Sequence, residues 1–384
     1  MKKIILVLII PIVTISLFIF KYQGSLSSES RASQIFTRCK YSNDPTLCYE
    51  KEIPKLMKSL TMEETFKITS LIQEKDQNFP YCHVLSHKLA SIETAKNPDD
   101  WKSVASRCPS GICSNGCVHG AFQEKFRDET LSDEKIETIK NELSEICEKR
   151  EGFDPSELEQ SSCYHALGHL FMYITGGSVD RSLRRCDELA KKSDGRDFTR
   201  VCFDGVFMQI FQPLDKDDEA LVYGKVPAKS EVESYCFRHE GEKRYSCWNE
   251  SWPLYLEEIT TPSGLLSFCS KLGKKGEESC VTDVLYLIPI EFRFDEIEMK
   301  KYCNGFGQKE AKCFSVFAAR VLEIDYKNKQ KALSFCDSIS NESGIKECYD
   351  YLTNYAKFVF KKDGEDIKEF CSLVEEKGSY CSTN

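Results

Sequence analysis

Through much of the chain apolar residues recur three and four positions apart, the spacing of one buried helix face. Asp133 to Cys147 (DEKIETIKNELSEIC) shows it plainly and predicts a helix with Asp133 as its N-cap. Val281 to Phe292 (VTDVLYLIPIEF) predicts a second, more apolar helix, and the polar Leu272 to Ser279 (LGKKGEES) reads as the turn before it. The unit is helix A, turn, helix B. Strand signals are weak: Asn115-Gly116 and Gly176-Gly177 lack flanking alternation. The expected fold class is all-α. The N-terminus has a different pattern. Lys2 and Lys3 precede an uncharged, mostly apolar run from Ile4 to Phe20, about 25 Å long at helical rise. Lys21, Tyr22 and Gln23 follow it in place of a small-residue cleavage site. An uncleaved transmembrane anchor is favoured over a removed signal, with the bulk of the chain outside the cytoplasm. The expected organisation is 1–21 anchor or signal, 22–33 flexible stem, 34–212 His-bearing repeats and 213–384 C-terminal repeats.

The cysteines repeat in register with the helices. Cys48, Cys82, Cys117, Cys163, Cys202, Cys247, Cys280, Cys313, Cys348 and Cys381 recur at intervals of 33 to 46 residues. A second series precedes them: Cys39, Cys108, Cys147, Cys186, Cys236, Cys269, Cys303, Cys336 and Cys371. Each pair places one cysteine at the end of A and one at the start of B, which predicts a disulfide staple worth about 3 kcal/mol in the loop-entropy model. The pairs are Cys39–Cys48, Cys108–Cys117, Cys147–Cys163, Cys186–Cys202, Cys236–Cys247, Cys269–Cys280, Cys303–Cys313, Cys336–Cys348 and Cys371–Cys381. Cys82 lacks a partner in its own repeat and Cys113 is surplus in the next, so elimination pairs Cys82 with Cys113. The alternative is two free thiols in a Cys-His metal site. A two-helix hairpin cannot bury its apolar face alone, so about ten hairpins are expected to stack into a right-handed α-solenoid.

Composition narrows the class. Of 384 residues 41% are hydrophobic, which excludes a disordered chain. Net charge is −9 and no Lys/Arg block tracks a phosphate backbone, so nucleic acid is excluded as a partner. Twenty cysteines without any Cys-x-x-Cys pair point to an oxidising compartment, periplasmic or at the cell surface, or secreted if the N-terminal segment is removed.

On period and cysteine register, Arg31 to Asn384 resembles the tetratricopeptide-like helical-repeat superfamily, and in particular secreted bacterial cysteine-rich repeat proteins with one disulfide per hairpin. The Trp, Leu-Gly-Tyr and Pro positions of the tetratricopeptide consensus are absent. The resemblance implies a scaffold that binds a protein partner on its solenoid surface, and it carries over no catalytic residue.

Five of the six histidines fall just after a B-helix cysteine: His83 and His87, His119, and His165 and His169. Two are His-x-x-x-His pairs, whose side chains share a helix face at a spacing suited to chelating one ion. Gly120 and Gly168 lie beside them, where glycine costs a helix up to about 1 kcal/mol, a sign of close approach by a ligand or neighbouring helix. Asp204 occupies the position equivalent to His119 and is a candidate acidic ligand or orienting group. Imidazole-rich ligation favours Zn, Cu, Ni or Fe, and non-covalent haem with two axial histidines fits the same pattern. His239 reads as a solvated loop residue, the pair Glu257-Glu258 as a solvated face and the run Asp215 to Glu219 (DKDDE) as a loop, in preference to a calcium site.

The favoured function is a membrane-anchored extracytoplasmic helical-repeat binding protein with a His-rich metal or haem site. One alternative is a metal-dependent hydrolase or oxidoreductase using the same histidines; Glu124 is the nearest general-base candidate, and the balance leans against an enzyme. The other is an interaction scaffold whose histidines are structural.

Overall fold

The computed structural model describes residues 26–76, 79, 81–127, 130–150, 153–213, 216–377 and 381. These are helical throughout, with isolated β-bridges and no named strands. The expected N-terminal membrane helix is corrected. No helix among the described residues is long and apolar enough to cross a membrane, and the run from Ile4 to Phe20 lies outside the described residues. The chain divides into two compact units, Met1–Pro80 and Tyr81–Asn384.

In the first unit the helix Ser28–Cys39 starts inside the segment read as a stem, with Ser27 as its N-cap. Pro45–Glu52 follows, capped by Asp44, and Met62–Lys75 opens with a reciprocal Thr61/Glu64 capping box. Ile35, Tyr49, Phe66 and Ile72 form the core, and the Tyr49 hydroxyl donates to Asp76 Oδ2 at 2.6 Å.

The second unit is a run of A/B hairpins. Its B helices are α1 (His83–Lys96), α2 (Gly116–Phe126), α3 (Glu157–Ile174), α4 (Thr199–Phe211), α5 (Gly241–Glu250), α6 (Gly273–Glu291), α7 (Glu310–Ile324) and α8 (Glu342–Val359). Each packs on the next. Two details differ from the sequence reading. Ser132, not Asp133, caps the helix Asp133–Glu145, because its hydroxyl reaches the Lys135 amide. The polar stretch before Val281 is the first part of α6, not a turn. Phe122, Phe171, Phe207, Phe314 and Phe317 are fully buried between the layers.

The array curls until late repeats meet early ones. Helix α8 packs against α3, Ile112 bridges Asp325, and the Tyr326 amide donates to the Gly111 carbonyl at 3.3 Å. Polar side chains of helices remote in sequence therefore face one another.

Ten disulfides staple the chain, with sequence separations of 9 to 16 for those within a hairpin. Cys82–Cys113, with a separation of 31, ties α1 to the segment before α2. None of the described cysteines is free, so neither Cys82 nor Cys113 is a thiolate ligand. The bridges place the chain in an oxidising, extracytoplasmic or secreted environment. Non-reducing peptide mapping should recover these ten pairs, and unreduced, denatured protein should titrate no thiol. Abundant free thiol in oxidised protein would contradict the framework.

Candidate metal centre

Close backbone approach puts the histidines together. A Cβ at Gly120 would overlap the His87 carbonyl, so only glycine lets α2 lie against α1 there. Gly205 meets the His165 carbonyl in the same way and joins α4 to α3. The contact that these glycines serve is a neighbouring helix. Between α1 and α2 the chain holds Cys113, Ser114 and Asn115 in the left-handed region, with φ of 53°, 47° and 57°. Non-glycine residues adopt it at a cost. The Cys82–Cys113 bridge holds this turn and aims the Cys113 carbonyl at His83.

His83, His87 and His119 converge, each offering a ring nitrogen within 4.8 Å of the others. His83 Nε2 lies 3.0 Å from His87 Nε2. Two nitrogens bound to one tetrahedral ion at about 2.0–2.1 Å stand roughly 3.3 Å apart, so the pair is close to a chelating geometry. His165 and His169 form the second pair, with Nε2 atoms 3.2 Å apart. Their rings lie 5.5 and 5.4 Å from the His119 ring. His119 is thus the middle of the cluster.

Outer contacts orient the rings. His83 Nδ1–H donates to the Cys113 carbonyl at 3.3 Å, and His169 Nδ1–H to Gln209 Oε1 at 2.7 Å. Each bond leaves Nε2 with its lone pair facing the cluster, the arrangement typical of metal-ligating histidine. His119 Nδ1 is buried without a hydrogen-bond partner. Such an atom costs about 1–3 kcal/mol, and an ion beside it removes that cost.

Burial also sets the protonation. Desolvation pushes His83 down to about 4, with the Arg320 charge adding to it. Desolvation and mutual repulsion hold His87, His119 and His165 well below the usual imidazole range. His169 is also lowered by burial, opposed by its Gln209 bond and by Asp218. The cluster is neutral at pH 7, the state that binds metal.

The other singled-out residues lie elsewhere. Asp204 is paired with Arg200, Nε to Oδ1 at 3.0 Å, and Arg200 also holds Asp283 and Glu242. It belongs to an ion network and not to the histidine triad, because Arg200 is four residues back on the same helix and captures it. Burial raises Asp283 in this network to about 6. Glu124 takes the Ser91 hydroxyl and pairs with Arg127 at 3.1 Å. His239 is 9% exposed, edge-on to Phe207, and so not a solvated loop residue. Asp218, inside the run read as a loop, lies on the helix Lys216–Val222, is 3% exposed and is turned toward the histidines. Sequence reading also passed over Gln209, Tyr173 and Arg320. Tyr173 lies four residues beyond His169, a signal available in the sequence, and Gln209 lies one turn beyond Gly205. Arg320 is brought close only by the curl of the array.

Compared with known proteins, the chain matches no family model, no curated protein and no solved structure.

The lowered histidines make a signed prediction for metal-free protein. The unfolded chain binds protons near pH 6.5 that folded His83 refuses until about pH 4. Stability is therefore full above pH 6.5, falls as pH drops toward 4, and loses on the order of 3 kcal/mol from His83. His83→Gln should flatten this part of the curve of thermal midpoint against pH. Parallel curves for wild type and variant would contradict the assignment.

Proposed function

We propose that the chain is an extracytoplasmic, disulfide-stapled helical-repeat protein that binds one transition-metal ion through His83, His87 and His119, with His165 and His169 as a second imidazole pair beside it. The observation that carries this is the triad itself: three imidazoles within 4.8 Å of one another, held neutral, with a buried nitrogen left bare. An all-imidazole donor set suits Zn, Cu, Ni or Fe. An ion is favoured over haem because the rings stand against one another at centroid distances of 4.6 to 5.5 Å, too close for a porphyrin between them. Kinship with the tetratricopeptide-like superfamily is part of the proposal, supported by the repeat period and the one-disulfide-per-hairpin register. It brings with it a protein partner on the repeat surface.

Protein purified from an oxidising compartment should carry about one transition-metal ion per chain by elemental analysis. His119→Ala should weaken metal binding by at least about a hundredfold, since even outer-contact losses cost up to that much. His239→Ala, which removes a buried ring outside the cluster, should lower stability and leave metal content unchanged. Equal metal content in His119→Ala and wild type would overturn the proposal.

A further inference from the structure

A small cavity lies between the triad and the second histidine pair. Its volume is about 10 Å³, room for a single water molecule. His87, His119 and His169 form one side, Phe122, Ala166 and Leu170 give it an apolar floor, and Gln123, Tyr173, Gln209 and Asp218 supply the remaining polar wall. Two features of that wall point to an occupant. Gln209 is 2% exposed; its Oε1 accepts the His169 Nδ1–H, while its Nε2 is buried with no hydrogen-bond partner. A buried amide donor of this kind is a penalty that a bound acceptor removes. Asp218, also buried, accepts the Tyr173 hydroxyl and, at 3.4 Å, the Gln123 amide. Those two bonds fix the carboxylate on the cavity wall.

We infer that this cavity is the exogenous-ligand position of the metal centre, taking one ligand the size of a water molecule. The inference rests on the metal reading of the triad. Three histidine ligands leave a tetrahedral ion one open position, and the cavity touches two of the three. The occupant accepts from Gln209 Nε2 and faces the Asp218 carboxylate, so the wall suits water or hydroxide, which both accept and donate. Its volume keeps peptides, sugars and other organic groups out of this position. Gln209 is then a positioning residue for His169 and a direct donor to the ligand. The position is one for small inorganic ligands.

The test uses the full chain loaded with Cu(II) and titrated with fluoride, which matches hydroxide in size and charge. Fluoride in the cavity binds copper directly and splits its electron paramagnetic resonance lines through the fluorine nucleus. Wild type should show this splitting. At copper concentrations that saturate the triad, Gln209→Met should weaken fluoride by at least about tenfold relative to wild type, the loss of one hydrogen bond to an anion. Asp218→Asn should keep copper but tighten fluoride by about tenfold, because a facing negative charge is removed. Copper bound with no fluorine splitting in wild type would overturn the inference without any variant. Variants that retain copper and titrate like wild type would overturn it as well. Failure of wild type to bind copper or any other transition metal would overturn the metal reading, and this inference with it.

Discussion

The candidate centre depends on two places where one helix backbone lies directly on another. At Gly120, α2 rests against the His87 carbonyl of α1; at Gly205, α4 rests against the His165 carbonyl of α3. Any side chain there would push the helices apart, and overpacking of a tight contact costs about 1–3 kcal/mol. The closeness lets His119 reach the His83–His87 pair, and it brings Gln209 within 2.7 Å of His169. Disulfides hold the hairpins that supply these helices, so the glycines set the spacing and the bridges keep it.

Given that spacing, the electrostatics follow. Five imidazoles crowded away from water resist protonation, and each one raises the cost of charging the next. Nearby charge is satisfied separately: Arg200 by Asp204, Asp283 and Glu242, and Arg320 by Glu323 and the Tyr286 hydroxyl. The interior therefore holds a neutral donor cluster beside two ion networks, with Arg320 still acting on His83 and Asp218 on His169. Neutral lone pairs with anchored outer nitrogens bind a borderline-soft cation, whereas hydrated Mg or Ca would find no oxygen cage in the triad.

Much of this was legible in the sequence, because a repeat writes its geometry as spacing. The cysteine register carried the helical hairpins and the disulfide framework, and the position of each histidine after a B-helix cysteine carried the cluster. Gly120 and Gly168 signalled a close approach. Spacing failed where contacts cross many repeats. Asp218 sits in an acidic run that looks solvated, and only the fold turns it inward. Arg320 lies more than two hundred residues from His83 in the chain, yet its charge reaches that ring. Asp204 matched the register of His119 but had Arg200 one turn back, a local partner that outcompetes a distant site. His239 looked polar and exposed from its neighbours, while Phe207 covers it. Asp218, Arg320 and His239 were misjudged because packing between repeats supplied their neighbours, and Asp204 because a partner one turn away was passed over.

Diffraction from crystals of the metal-loaded protein, recorded on both sides of the absorption edge of the metal, tests the central claim most directly. The account predicts one anomalous peak bounded by ring nitrogens of His83, His87 and His119, at about 2.0–2.1 Å from each if the ion is zinc. A peak at another site, or none near these three rings in protein that carries the metal, would contradict it.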